Sequence, residues 1–277
     1  MDLATVGGML VGLMVVVVVM TLDGGSVMEL FSAPQAILLI FGGSLAASTI
    51  TVPLSVVKRL PQFLLKAIRS EKFDRQQSIE MLVKLADKAR REGLLALEDE
   101  AKKMKDPFVQ QALMLVVDGV DPEQVRSIME SNIEQTEERH RVGYGFFQQA
   151  GGFAPTFGII GTVMGLINVL KQLDDPSKLG GSIATAFLAT LWGLLTANLI
   201  FLPLAAKLRR NSEEETTYRL MLMEGVLAIQ SGENPRVLRE KLSAYAPEKA
   251  AGAQKQPRKA AETQQDVDVT ERANAAP

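Results

Sequence analysis

Two threonines lie near the middle of long apolar stretches, Thr162 in APTFGIIGTVMGL and Thr190 in AFLATLWGLL. A threonine in a membrane helix often bonds only the carbonyl four residues before it. Two hydroxyls on two small-residue helices can instead line a pore, because hydroxyl and carbonyl oxygens are suitable ligands for a monovalent cation. We therefore predict that Thr162 and Thr190 line an ion path, with backbone bonding as the alternative.

Prolines and glycines accompany these threonines. Pro155 and Pro203 each remove one helical hydrogen bond, which frees a carbonyl oxygen and allows a bend; a fixed kink is the alternative. Small residues recur at spacings of three and four in both stretches: Gly158, Gly161 and Gly165 in the first, and Ala189, Gly193 and Ala197 in the second. Because small residues let helices approach closely, we predict tight helix–helix packing here.

Neither stretch contains a carboxylate. A proton relay within a bilayer generally uses one. The chain alone is therefore expected to conduct ions poorly, and the ionisable group of the path should come from another protein.

The two stretches belong to a set of four runs that contain no Asp, Glu, Lys, Arg or His: residues 3–22, 34–57, 142–170 and 179–206. Each is long enough for the roughly 20 apolar residues that cross the hydrocarbon core. Buried helices of a large soluble protein are the alternative, but those are usually shorter and carry a polar face. The first run has no preceding Lys or Arg and no clear cleavage site, so we predict a retained membrane helix rather than a signal peptide.

Positive charge orients the four predicted spans. Lys and Arg cluster in three segments, 58–75, 139–141 and 207–210. The short loop 23–33 carries no Lys or Arg, and the short loop 171–178 carries two. Because Lys and Arg mark the cytoplasmic side, we predict a multi-pass membrane protein with both termini in the cytoplasm.

The parts between and after the spans also have a helical pattern. Apolar residues recur at helical spacing in three stripes: Ile79, Leu82, Val83 and Ala86; Phe108, Ala112, Leu115 and Val116; and Val125, Ile128, Met129 and Ile133. Asp121-Pro122 is predicted to open a helix that continues into the third span. The fourth span should continue as a helix to about Gly232, after which Asn234-Pro235 starts a last one.

The sequence thus predicts an all-α integral membrane protein in five parts: transmembrane helices 1 and 2 in residues 1–57, a cytoplasmic helical domain in 58–141, transmembrane helices 3 and 4 in 142–206, cytoplasmic C-terminal helices in 207–246, and a disordered tail in 247–277. The tail is rich in Ala, Lys and Gln and has no aromatic residue. It cannot bury enough apolar surface to offset its ordering entropy.

Nothing in the sequence supports an enzyme. There is no cysteine and a single histidine, and we find no P-loop, metal cluster or nucleophile beside a base. A carrier would usually need more spans and a binding group of its own. We therefore expect no catalytic activity, cofactor or bound metal, and no nucleic-acid partner.

Six segments in the same order resemble the MotA/PomA family of flagellar stator proteins: MDLATVGG, GGSLAAS, ADKARREGLLALE, APTFGIIGTVMGL, AFLATLWGLLTANLIFLPLAAKL and GVLAIQSGENPRVL. Each segment is weak evidence by itself, but together they cover about residues 1–245. The wider family includes the TolQ and ExbB proteins, which have three spans, so the additional amino-terminal span favours the flagellar branch. A TolQ/ExbB-like subunit that energises a periplasm-spanning partner is the alternative.

The resemblance implies a ring of subunits, expected to number five, in the bacterial inner membrane. The ring would surround single-span helices of a MotB/PomB partner, and membrane lipid would surround the ring. The partner would supply the membrane aspartate, and ion flow would turn the ring against the rotor protein FliG.

The resemblance also assigns residues. Arg90 and Glu98 correspond to the family's rotor-contact charges, and Arg91 matches a basic position of sodium-type members. On an unbroken helix Arg90 and Glu98 would lie about 80° apart, which Gly93 could shift. A solvated helix surface is the alternative.

The transported ion is sodium or a proton. Sodium-type members resemble this chain in having threonine at Thr162 and Thr190. At Ala189, which we include in the ion path, the best-known sodium-type members have a second threonine. The resemblance favours sodium.

Overall fold

The computed structural model of the protein describes residues 3–68, 73–171, 173–174 and 176–246. The predicted disordered tail, 247–277, lies outside the described residues. The helices of the described parts are α1 (Leu3–Leu22), α2 (Val27–Leu30), α3 (Pro34–Ile50), α4 (Leu54–Val57), α5 (Leu60–Ile68), α6 (Arg75–Glu92), α7 (Glu98–Lys103), α8 (Pro107–Val117), α9 (Pro122–Leu170), α10 (Pro176–Leu195), α11 (Leu202–Gln230) and α12 (Pro235–Ser243). No strand occurs among these residues, so the predicted all-α class is confirmed.

Capping residues begin and end the long helices where the sequence predicted. The Asp121 carboxylate accepts the N–H of Glu123 at 2.9 Å, at the start of the continuous 49-residue helix α9. The Asn234 side chain accepts the N–H of Arg236 at 2.9 Å at the start of α12. Gly232 has a φ of 69°, a left-handed conformation that glycine adopts without steric cost and that suits the end of α11.

The second apolar run does not form one helix. α3 ends at Ile50, and the short helix α4 begins at Leu54. Pro53 between them has no N–H to donate and disfavours helical geometry at Val52. α3 has 17 residues and is therefore only about 26 Å long. The uncharged run 34–57 therefore comprises two helices separated at Pro53.

The described chain divides into two compact units. One contains Phe73–Ile133 together with Thr216 onward, and the other contains the described part of Met1–Lys72 together with Glu134–Glu215. α9 and α11 each contribute residues to both units.

The unit from Phe73 to Ile133 with Thr216 onward has an apolar core of its own. The predicted stripes supply Leu82, Ala112 and Met129, all fully buried, and α11 adds Leu222. Ile128 was predicted in the same stripe but is 39% exposed, because it lies beyond the edge of the face that packs on the core.

The other unit has long apolar helices that leave large side chains uncovered. Leu10, Met14 and Leu22 of α1 are each more than half exposed. Two described helical stretches, Pro122–Leu170 and Leu179–Gln230, contain windows long and apolar enough to cross a membrane. α1, with 20 residues, has the length of a span, whereas α3, with 17, is shorter. Helices that are apolar on all sides need lipid or other helices around them.

α10 and α11 are joined by a π-helical segment, Thr196–Phe201, rather than by an unbroken α-helix. Its hydrogen bonds span five residues instead of four, which widens the helix locally. The sequence analysis expected Pro203 to remove a helical hydrogen bond in the fourth apolar run, but it did not predict a π-helical segment.

Candidate functional site

The hydroxyls of Thr162 and Thr190 meet between α9 and α10. Their Oγ1 atoms are 2.5 Å apart. The Thr162 hydroxyl also lies 3.1 Å from the Gly158 carbonyl of its own helix and 3.0 Å from the Ala186 carbonyl of α10. A threonine hydroxyl has one proton to donate, so it can satisfy only one of these oxygens at a time.

Four oxygens therefore converge at this point: two hydroxyls and two carbonyls. Both threonines are half-buried, so the group is neither sealed in a core nor fully open. The carbonyl four residues earlier, raised as the alternative for Thr162, is within bonding distance, and so are two oxygens of the facing helix. The ion path itself stays a prediction. Hydroxyl and carbonyl oxygens of this kind can replace part of the hydration shell of a monovalent cation.

Glycines allow the helices to come this close. A Cβ added at Gly193 would lie 2.8 Å from the Ala154 carbonyl oxygen, and one at Gly158 would lie 3.0 Å from the Ala189 carbonyl oxygen. Both neighbours are backbone atoms, which cannot move aside as a side chain can. The backbones of α9 and α10 are thus in direct contact about one helical turn away from the threonine pair.

Gly161 and Gly165 continue this contact along α9. Added Cβ atoms would lie 2.8 Å from the Ala189 methyl and 2.6 Å from the Ala186 methyl, respectively. Ala189 is 2% exposed. Its methyl therefore fills the space opposite Gly161, while the neighbouring Thr190 presents its hydroxyl to Thr162.

A residue one turn before Pro155 contacts the residue that precedes Pro203. Pro155 lies inside α9 and cannot donate to the carbonyl of Gly151. A Cβ at Gly151 would lie 2.6 Å from the side chain of Leu202, which precedes Pro203. The residue whose carbonyl Pro155 leaves without its helical donor therefore packs against the residue before Pro203.

The π-helical segment before Pro203 contains two polar side chains that the sequence analysis missed. The Thr196 residue is fully buried, and its hydroxyl has no hydrogen-bond partner among the described residues. The exposed Asn198 donates its amide to the Leu194 carbonyl at 2.9 Å. Pro203, whose missing N–H was expected to interrupt the helical hydrogen bonds, follows this segment after one residue.

The charges predicted to contact a rotor lie around a break in the helix. α6 ends at Glu92, Gly93 has a φ of 86°, and Glu98 begins α7. Arg90, Arg91 and Glu98 are all exposed. The estimate of their angular separation assumed an unbroken helix, which the structure does not have.

Two of these charges have partners within their own helical segments. Arg91 pairs with Asp87 at 2.9 Å, and Lys102 pairs with Glu98 at 2.6 Å. The hydrogen bond from Lys102 lowers the pKa of the Glu98 carboxyl, so this group is charged at neutral pH. No ion pair is found for Arg90 within the described ranges.

Comparison with known proteins identifies the family. Residues 6–93 match the protein-family sequence model described as motility protein A N-terminal. Residues 100–221 match the one described as the MotA/TolQ/ExbB proton channel family. Motility protein A of Bacillus subtilis is 38% identical over 253 residues, which is 90% of this chain and 92% of that protein. Chemotaxis protein PomA of Vibrio alginolyticus is 38% identical over 245 residues, which is 88% of this chain and 95% of that protein.

The chain belongs to the motility protein A family. The solved flagellar MotAB stator complex of Bacillus subtilis contains a chain that is similar along almost its full length. Its TM-score is 0.82 at 37% identity, with 89% of this chain and 96% of that chain covered.

The amino-terminal match separates this motility protein A family member from the TolQ/ExbB alternative. The matched residues, 6–93, include α3 and all but the first residues of α1. The two branches were expected to differ by one additional amino-terminal span, which lies within this matched region. The flagellar branch is therefore favoured.

Proposed function

We propose that this protein is a stator subunit of a bacterial flagellar motor and forms a cation channel together with a MotB/PomB-like single-span protein. The observation that carries the proposal is the meeting of the Thr162 and Thr190 hydroxyls between two long apolar runs, 142–170 and 179–206, that contain no carboxylate. The oxygens offer ligands for a cation, but no group here can take up and release a charge. A partner that brings a carboxylate to this level would complete the path.

The proposed arrangement has four membrane spans. α1, α3, the membrane part of α9 and the stretch from α10 through Thr196–Phe201 would cross the inner membrane, with both termini in the cytoplasm. α3 is short for the ~30 Å core, and a flanking basic segment would anchor its cytoplasmic end. Five subunits would form a ring around the partner's helices.

The proposed ion is sodium, with the proton as the alternative. Two hydroxyls and two carbonyls supply neutral oxygens, which suit a desolvated monovalent cation. The partner's carboxylate would balance the cation's charge.

The proposed output is torque on the rotor protein FliG, transmitted through Arg90, Arg91 and Glu98. All three are exposed. Exposed charges steer encounter and release quickly, which suits a contact that is made and broken repeatedly.

The proposal is tested by reconstituting the purified chain in liposomes, alone and with the MotB-like protein of the same bacterium. Cation flux is expected only when both are present, and it should disappear when the partner's membrane aspartate is replaced by asparagine. Flux measured against sodium at fixed pH identifies the ion. Selective flux through liposomes that contain this chain alone would overturn the proposal.

A further inference from the structure

The helix that follows the second apolar run packs with only one of its faces. In α5, Leu60 and Phe63 pack against the apolar cluster around Phe146 and Ala150, and Ala67 is fully buried. Phe63 lies directly against Gly143 of α9, where an added Cβ would be 3.1 Å from the ring. The inward face of α5 is therefore occupied by its own chain.

The other face of α5 is apolar but uncovered. Leu65 is 61% exposed and Leu64 is 45% exposed. Leu54, in the preceding helix α4, is 67% exposed. These leucines form an outward apolar strip immediately after α3.

Three cations accompany the strip. Lys58, Arg59 and Lys66 are exposed, and within the described residues no ion pair is found for any of them. The sequence contains no Asp or Glu between Glu29 and Glu71. The segment therefore carries uncompensated positive charge beside exposed leucines.

We propose that this surface, consisting of α4, α5 and the cations Lys58, Arg59 and Lys66, binds anionic phospholipids of the cytoplasmic leaflet. The leucines would enter the boundary of the acyl chains, while the cations would reach the headgroup phosphates with their flexible stems. The proposal rests on the membrane topology given under the proposed function.

Position and charge favour lipid over a protein partner. α4 begins only four residues after the last residue of α3, so the surface lies at the depth where a membrane span would end. Anionic headgroups hold a high density of negative charge at this depth and attract basic segments next to a span. A helix with one apolar strip and flanking cations is the pattern of an interfacial helix.

The test uses the absence of cysteine in this chain. Gln62, an exposed residue of α5, is replaced by cysteine and labelled with a fluorophore in the full chain, reconstituted with a cysteine-free MotB-like partner. Vesicles of phosphatidylcholine receive a small fraction of nitroxide-labelled phosphatidylglycerol or nitroxide-labelled phosphatidylcholine. We expect nitroxide-labelled phosphatidylglycerol to quench the fluorophore at a lower mole fraction than nitroxide-labelled phosphatidylcholine does. Added salt should weaken this preference for phosphatidylglycerol, because salt screens exposed charges.

The charge variant is Lys58→Gln/Arg59→Gln/Lys66→Gln. A juxtamembrane cation contributes about 1 kcal/mol, so each removed charge should weaken the preference for phosphatidylglycerol about fivefold. The matched control is Lys84→Gln/Lys103→Gln/Lys105→Gln, which removes three exposed cations from the other compact unit and should leave the preference unchanged. The single variant Lys66→Gln serves if the triple variant does not insert.

Equal quenching by both lipids in the unsubstituted protein would overturn the proposal, as would an unchanged preference in the charge variants. Absence of quenching by either lipid would show that a protein surface, such as a second copy of this chain, covers α5, and would also overturn it. The ion-channel proposal would stand in each case, because cation flux is measured separately.

Discussion

The hydroxyl of Thr162 lies 2.5 Å from that of Thr190, on the facing helix, and within reach of the backbone carbonyls of Gly158 and Ala186. A hydrogen bond between membrane helices contributes only about 0.6 kcal/mol on average. If the pair served packing alone, its loss would therefore have a small effect. A large effect on ion flow would have to come from the loss of a cation ligand.

The first prediction follows from this contrast. Thr162→Val should abolish ion-driven swimming or change its ion dependence, while the amount of membrane-inserted protein and its thermal stability change little. Thr162→Ser keeps the hydroxyl and should keep swimming. Swimming speed is measured against sodium at fixed pH in a stator-deficient strain.

The control is Thr185→Val on the facing helix α10, which also carries Thr190, because the Thr185 hydroxyl bonds the carbonyl of Gly181 in its own helix at 2.9 Å. This variant should swim normally. Normal swimming and unchanged ion dependence of Thr162→Val would assign Thr162 to packing only.

The second prediction concerns the close approach of α9 and α10. Gly193→Ala would place a methyl 2.8 Å from the Ala154 carbonyl oxygen, so one helix must move. Overpacking of this kind costs about 1–3 kcal/mol. We expect a lower melting temperature of the purified complex, measured by circular dichroism, and reduced swimming.

Gly180→Ala is the control for that substitution, because an added methyl would meet no atom within 4 Å. It lies on the same helix and should leave the melting temperature unchanged or slightly raised, since alanine favours helix over glycine. Equal stability of Gly193→Ala and Gly180→Ala would contradict the direct backbone contact.

The third prediction concerns the rotor surface. Glu98→Lys should reduce torque, and reversal of a facing charge on the rotor should restore part of it. Torque is measured from the rotation of tethered cells. Glu134→Lys, which reverses another exposed carboxylate, is the control and should leave torque unchanged. If no rotor charge reversal rescues Glu98→Lys, a direct contact at this residue is excluded.

The fourth prediction gives the pH dependence of the same carboxylate. The hydrogen bond from Lys102 lowers the pKa of Glu98 in the folded protein. The contribution of the Glu98–Lys102 pair to folding stability is therefore complete above the ordinary glutamate pKa of about 4.3. It is lost as the pH falls through the lowered pKa of the folded protein. Because both groups are exposed, the effect on stability is small. Lys102→Gln should raise the pKa of Glu98 toward its ordinary value, which carboxyl NMR of glutamate-labelled protein can measure; an unchanged pKa would contradict the hydrogen bond.

Much of this structure could be predicted from the sequence because local signals determine it. Asp121 and Asn234 start helices through bonds to their own next residues, and the stripe from Ile79 to Ala86 faces the core because its spacing matches a helical turn. The second apolar run was defined by its lack of charge alone, which does not locate the end of α3; Pro53, a helix breaker, lies between α3 and α4.

Other features depend on contacts that a sequence does not display. The sequence pattern indicated Thr162 and Thr190 as candidates, each within its own apolar run. Whether their hydroxyls meet depends on the rotation of α9 and α10 about their axes and on their relative shift along them, which the sequence does not show. The π-helical segment is a further case, since a π turn and an α turn differ by one residue in hydrogen bonding and not in residue preference. The roles of the threonines, the prolines and the charges around Gly93 stay predictions.

The last prediction concerns the π-helical segment. The hydroxyl of Thr196 is buried without a partner among the described residues, and an unpaired buried polar group costs about 1–3 kcal/mol. Thr196→Val has nearly the same shape and removes that group, so it should raise the melting temperature of the complex by about 2–4 °C for each kcal/mol gained. Thr49→Val is the control, because its hydroxyl bonds the Leu45 carbonyl at 2.8 Å, and it should give no increase. A lower melting temperature of Thr196→Val would mean that the hydroxyl has a partner in the assembled ring, and the segment would then belong to a contact between chains.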